Sequence, residues 1–234
     1  MESIKNVARG ALRFWPLLLI LLVFVASRVR QSDANPYTAS PAGFQQLETS
    51  APVPATGAVD VVDFFYYGCP HCTAFEPQLE AWIASQGSHI HVRRVPFAPD
   101  DERVRQAHMY YALVKMGQAE RLQGSVFAEI HQHGDPLDTD QRILDWVARQ
   151  GVDIDAFKQA YFSPEVEAQR VAGMDEIDRE KIAVVPTVVI GGKWVINAQT
   201  AGDLNKAIAV MSQRVAASAQ APRTVADAGT ATAR

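Results

Sequence analysis

The chain has 234 residues, 48% of them hydrophobic and 21% charged, a balance that supports a folded core and excludes a disordered polyelectrolyte. Its formal net charge of -4, without a basic patch interleaved with aromatics, excludes a nucleic-acid interface. The length suits one domain carrying an insertion.

Lys5, Arg9 and Arg13 precede an apolar run from Phe14 to Ala26, the layout of a secretory signal. As a helix this run spans about 20 Å, against a hydrocarbon core of roughly 30 Å. The shortfall favours cleavage after the small residues Val25-Ala26-Ser27. Arg28 and Arg30 directly beyond that site, and the reach of Arg13 toward the interface, favour retention. Residues 1–27 are therefore read as a signal peptide or an N-terminal membrane anchor, and either one puts the rest outside the cytoplasm, where disulfides persist. Residues 28–43 have no apolar period and read as a linker.

A first strand is expected around Phe44 to Thr49. Pro52, Pro54 and Gly57 separate it from the β-branched and aromatic run Val59 to Tyr66. Asp63 interrupts that run, and alternation leaves open whether it is a solvated strand-end acid or a buried one. Buried, it would have a raised pKa and could exchange protons with Cys72.

Gly68 ends the strand, and Cys69-Pro70-His71-Cys72 holds the chain's two cysteines. Pro70 suits a first helical turn, and Phe75, Leu79 and Trp82 continue at helical spacing. Cys69 is thus expected at a helix N-terminus, where unpaired N–H groups and the helix dipole favour a thiolate. Cys72 lies one turn further on, within reach of Cys69. A bridge closing so small a loop constrains the unfolded chain little, so it reads as a working bond rather than a staple. His71 is either an exposed turn residue or a partly protonated neighbour that stabilises the thiolate.

A structural disulfide and a zinc half-site are the plainer readings of the pair. Structural zinc takes four protein ligands and there is no third cysteine; His89 and His91 could share a strand face, but a solvated face explains them as well, and no metal is expected. His131 and His133 are read as surface residues, and Glu76 as a helix-surface charge.

His89 to Val95 alternates as a further strand. From Asp101 to about Ile182 the pattern is helical: Val104, Ala107, Tyr111 and Val114 share one face, and Ile143, Leu144, Trp146 and Val147 mark another helix. Gly117, Gly134-Asp135-Pro136, Gly151 and Ser163-Pro164 separate the segments. Tyr110, Tyr111, Trp146 and Phe157 are read as core or inter-domain packing. Two strands follow, Thr187 to Ile190 and Lys193 to Ile196, joined at Gly191-Gly192 by a two-residue hairpin turn. Pro186 fits the first residue of a strand. Thr200 and Asp203 resemble a capping box for a helix with the stripe Leu204, Ala207, Ile208, Met211 and Val215. The Ala-, Thr- and Ser-rich stretch from Ala216 onward reads as a disordered tail.

The run Phe64-Phe65-Tyr66-Tyr67-Gly68-Cys69-Pro70-His71-Cys72, followed by Phe75-Glu76-Pro77 and, far downstream, by Val184-Val185-Pro186-Thr187, resembles the DsbA family of thiol:disulfide oxidoreductases. The resemblance extends from about Phe44 to about Val215. It implies an α/β, thioredoxin-like fold with an inserted helical domain. Residues 44–100 and 182–217 would form the thioredoxin-like part, 101–181 the insert and 218–234 the tail.

The resemblance also implies a nucleophilic Cys69 and a resolving Cys72 tuned by Pro70 and His71. A cis peptide before Pro186 and substrate binding along the backbone of Val185 follow from it, and Asp63 matches the superfamily's buried acid. The implied activity is a periplasmic dithiol oxidase, soluble or tethered to the inner membrane. It would donate the Cys69-Cys72 disulfide to newly exported, reduced polypeptides and be re-oxidised by a DsbB-like, quinone-linked membrane protein. No cofactor and a monomer are expected. A thiol:disulfide reductase or isomerase is the alternative, although no separate dimerisation domain fits before Phe44. A redox-inactive chaperone or metal-binding module is the reading from a different class.

Overall fold

The computed structural model describes residues 44–46, 58–192, 194–197 and 204–220. The expectations for residues 1–27, the linker 28–43, Pro52, Pro54, Gly57, Lys193, the Thr200–Asp203 cap and the chain beyond Gln220 lie outside these residues.

Among the described residues, five strands form one mixed sheet in the order β1-β5-β4-β2-β3. They are β1 (Phe44–Gln46), β2 (Val59–Phe65), β3 (Ile90–Pro96), β4 (Thr187–Ile190) and β5 (Trp194–Asn197). The helices are α1 (Pro70–Gln86), α2 (Asp101–Lys115), α3 (Ala119–His131), α4 (Asp140–Arg149), α5 (Ile154–Tyr161), α6 (Pro164–Arg179) and α7 (Leu204–Gln220). Strand β2 is an interior strand, parallel to β3 and antiparallel to β4. The parallel pairing needs a long crossover, which α1 supplies. This is an α/β thioredoxin-like fold with helices inserted between β3 and β4.

Because β2 is covered on both faces, its side chains sort by parity. Val59 and Val61 pack with Phe75, Leu79 and Trp82 of α1 and with Met211 and Val215 of α7. Val62 and Phe64 point the other way, onto Ile177 of α6 and Val189 and Val195 of the hairpin. Phe65 and Tyr67, where β2 ends, enter the core of the helical insert instead. Tyr110 meets Phe65 edge to face at 5.4 Å, so the expected packing role of the aromatics holds, and this pair joins sheet to insert. Each such fully buried large side chain contributes roughly 1.5–3 kcal/mol.

Four expectations need adjusting. Helix α2 is not a one-sided amphipathic helix: Ala107, Met109, Tyr110, Ala112 and Leu113 are all buried, whereas Val114 is 41% exposed. It packs against α3, α4, α5, α6 and β3 at once, so core surrounds it on several sides. The hairpin register pairs Ile190 with Trp194, leaving three positions between them rather than two; Gly191 (φ 59°) and Gly192 (φ 62°) adopt the left-handed angles that favour glycine there. His89 ends a short 3₁₀ turn and does not share the strand with His91, which pairs with Asp60 at 3.2 Å. Helix α7 continues to Gln220, past residue 218 where the tail was expected, because Ala216, Ala217 and Ala219 are strong helix formers.

Candidate redox site

The strand β2 delivers the chain to a tight turn at Tyr67-Gly68, and Cys69 is the N-cap of α1 in extended conformation (φ -82°, ψ 118°). Its N–H donates to the Tyr66 carbonyl and its own carbonyl accepts from Thr73 N–H, both at 3.1 Å. Pro70 takes the first helical position, where its missing N–H costs no helical bond. Gly68 is needed for close approach: a Cβ there would lie 2.2 Å from the Tyr66 hydroxyl. The Tyr66 ring is held in place by Glu102, which accepts from its hydroxyl at 3.0 Å, and by the Arg103 guanidinium stacked 4.3 Å from its centroid.

The two cysteines are unbridged and unequal. The Cys72 thiol donates a hydrogen bond to the Cys69 sulfur, the N–H groups of Cys72 and His71 point at it, and the His71 ring adds a smaller attraction. Together these outweigh burial and lower the Cys69 pKa to about 6. The same hydrogen bond, with burial and the nearby negative charges of Cys69 and Asp63, pushes the Cys72 pKa far up. Near neutral pH the site therefore holds a Cys69 thiolate beside a Cys72 thiol. His71 is exposed at the rim, so most of the stabilisation comes from N–H and S–H donors.

Val185 and Pro186 lie where β4 begins. The Val185-Pro186 peptide is cis, as the resemblance implies, and the Val185 carbonyl is 3.8 Å from the Cys69 sulfur, accepting from it in the thiol form. Val185 is half-buried, Pro186 buried and Val184 46% exposed.

Asp63 is 1% exposed, which settles the choice between a solvated and a buried acid. The parallel register sets it opposite Arg94, and burial raises its pKa to about 6 despite that cation. Glu76 is not a surface charge: it is 5% exposed, and burial raises its pKa to about 8. Arg94 Nη2 donates to Glu76 Oε1 at 3.2 Å and also to Glu80. The signal was present in the sequence, since Cys72, Glu76 and Glu80 recur every four residues and so share one face of α1.

His131 is exposed, as the surface reading expects, but it carries a bond that reading did not include. Its Nε2 donates to the Tyr67 carbonyl at 2.8 Å, tying α3 to the turn before Cys69. Gln123 on the same helix accepts from the buried Tyr67 hydroxyl at 2.7 Å. No spacing in the sequence reports these long-range bonds. Among the described residues no cluster of three metal-ligating side chains occurs, and no helix is long and apolar enough to cross a membrane.

A thioredoxin family model matches residues 55–209 of the chain. The thiol:disulfide interchange protein DsbA of Burkholderia cepacia is 38% identical over 178 residues, covering 76% of this chain and 83% of the relative. The protein of that name from Pseudomonas aeruginosa is 31% identical over 189 residues, covering 80% and 88%. The crystal structure of Pseudomonas aeruginosa DsbA superposes with a TM-score of 0.69 at 29% identity, covering 79% of this chain and 97% of that one. The DsbA structure from Xylella fastidiosa gives 0.69 at 25% identity, covering 76% and 96%.

Proposed function

The chain belongs to the DsbA family of thiol:disulfide oxidoreductases, and from that premise we propose that it works as a dithiol oxidase on newly exported, reduced polypeptides. The observation that carries this reading is the inequality of the two sulfurs. A Cys69 with a pKa near 6 is a good leaving group and is stabilised in the reduced enzyme.

A substrate thiolate attacks Cys69 in the Cys69-Cys72 disulfide. The new bond joins substrate sulfur to Cys69, and Cys72 leaves, taking a proton that Asp63 is suited to hold. A second substrate thiolate then attacks the substrate sulfur of this mixed disulfide. The substrate disulfide forms and Cys69 departs as the thiolate. Two electrons have moved from substrate to enzyme. The Val185 backbone beside the Cys69 sulfur supports docking of an extended substrate segment there. Re-oxidation falls to a DsbB-like, quinone-linked membrane protein. The working compartment is the periplasm, with the protein monomeric and either soluble or tethered to the inner membrane.

Trapping tests the assignment. Cys72→Ser should accumulate mixed disulfides on Cys69, visible on non-reducing gels, whereas Cys69→Ser should abolish substrate oxidation. Adducts confined to Cys72 would reverse the roles. Catalysed insulin reduction without oxidative refolding activity would favour a reductase, and bound zinc without either activity a metal-binding module.

A further inference from the structure

The buried charge behind the cysteines exceeds what one thiol pair requires. Arg94, 9% exposed, faces three carboxylates. Its Nε lies 3.5 Å from Asp63 Oδ2, and its Nη2 lies 3.2 Å from Glu76 Oε1 and is also paired with Glu80 Oε1. The Glu80 side chain is 46% exposed, against 1% for Asp63 and 7% for Glu76. Hydrogen bonding among them is uneven. Glu76 and Glu80 both accept from Nη2, while both Asp63 oxygens and Arg94 Nε have no hydrogen-bond partner. A guanidinium has the donors to grip a carboxylate with two parallel bonds, yet here its closer hydrogen bonds run to α1, and Asp63 keeps only the longer approach of Nε at 3.5 Å, a weak pull on its proton.

We propose that Glu80 is a positioning residue for Asp63: by drawing Arg94 Nη2 toward its own half-exposed carboxylate it keeps the guanidinium from closing on Asp63, and so leaves Asp63 able to carry a proton for Cys72. The proposal rests on the reading of Asp63 as the proton partner. A carboxylate in a full ion pair with arginine gives up its proton more readily, by about 1 to 3 pH units, and would then be a poor proton store beside a sulfur. The negative charge of Glu80 acts on Asp63 in the same direction as its hold on Arg94, toward keeping the proton. The other groups facing Asp63 are Glu76 from α1, Cys72, Tyr67 from the turn and Tyr110 from α2. Burial keeps both tyrosines neutral at ordinary pH, so the balance is set by Arg94 and the three acids.

The step served is resolution of a mixed disulfide. Cys72 loses its proton to Asp63, its sulfur bonds to Cys69, and the partner thiolate leaves. The direct test is a carbon-13 NMR titration of the Asp63 carboxyl in the reduced full-length protein and in Glu80→Gln, which keeps an acceptor but removes the charge. The Asp63 midpoint should fall by about one pH unit in the variant. The pH at which Cys72 resolves a Cys69–glutathione disulfide should fall with it, and Glu80→Asp should restore part of both. An Asp63 midpoint that stays put or rises in Glu80→Gln overturns the proposal. Asp63→Asn separates this from the underlying reading, because a resolution profile indifferent to Asp63 overturns the proton-partner role whatever Glu80 does.

Discussion

At the scale of single residues, the site consists of groups held away from their ordinary protonation. Asp63 shows the consequence for stability. Its folded pKa of about 6 stands above the unfolded value of about 3.9, so its contribution is fully present below pH 4 and is lost as pH rises through 6. Asp63→Asn removes that loss. The variant should match the parent near pH 4 and exceed it by about 2 to 3 kcal/mol at neutral pH, while losing proton exchange with Cys72. Denaturant melts of both proteins between pH 4 and 8 check this; a variant less stable at neutral pH would contradict it. The thiol pair, its turn and the candidate acid at 63 were all legible in the sequence. What strand alternation could not supply was the face on which Asp63 lies, because β2 is covered on both sides and its apolar run carries no period. Glu76 was misread for a related reason: a glutamate in a helix is ordinarily solvated, and although its spacing from Cys72 gave its face, its cation Arg94 lies on the neighbouring β3.

At the scale of elements, helix N-termini carry much of the organisation. Cys69 caps α1, and Asp100, Thr139, Asp153 and Ser163 cap α2, α4, α5 and α6 through side-chain oxygens that accept backbone N–H bonds. Ser163-Pro164 was legible as a separator of helical segments, but its capping role, like that of Asp100, shows only once the helices are seen. Helix α6 also seals the face of the sheet that α1 and α7 leave open, and it does so at van der Waals contact. A Cβ on Gly173 would stand 2.6 Å from the Tyr111 hydroxyl and 3.1 Å from Val95 Cγ1. Gly173→Ala should therefore destabilise the protein by about 1 to 3 kcal/mol through overpacking, outweighing the gain in helix propensity of about 1 kcal/mol. Thermal melts test it, and a variant with a raised Tm would show that Tyr111 moves aside freely. The several-sided burial of α2 did leave a trace in the sequence, the unbroken apolar run from Met109 to Val114, which a single stripe at helical spacing passes over.

At the scale of the whole molecule, the strand pattern breaking off after residue 96 and resuming at 187 made the insertion visible, whereas bonds across it, such as His131 to the Tyr67 carbonyl, depend on folding and leave no local trace. The central claim concerns the balance between the two redox forms. Closing the Cys69–Cys72 loop favours the oxidised form by about 2 kcal/mol in the chain-entropy account. The depressed Cys69 pKa opposes it: relative to an unfolded thiol near 8.5, a folded value of about 6 stabilises the reduced form, fully above pH 8.5 and progressively less as pH falls through 6. The full effect is about 3 kcal/mol, so it exceeds the loop term near pH 8 and falls below it in acid. Denaturant melts of the two forms should accordingly exchange order, the reduced form being the more stable near pH 8 and the oxidised one at pH 5. The most direct measurement is the redox equilibrium of the Cys69-Cys72 pair with glutathione at pH 7. A midpoint more positive than about -200 mV, on the oxidising side of the glutaredoxins, is the result expected of a dithiol oxidase; one at or below the roughly -270 mV of thioredoxin would contradict it.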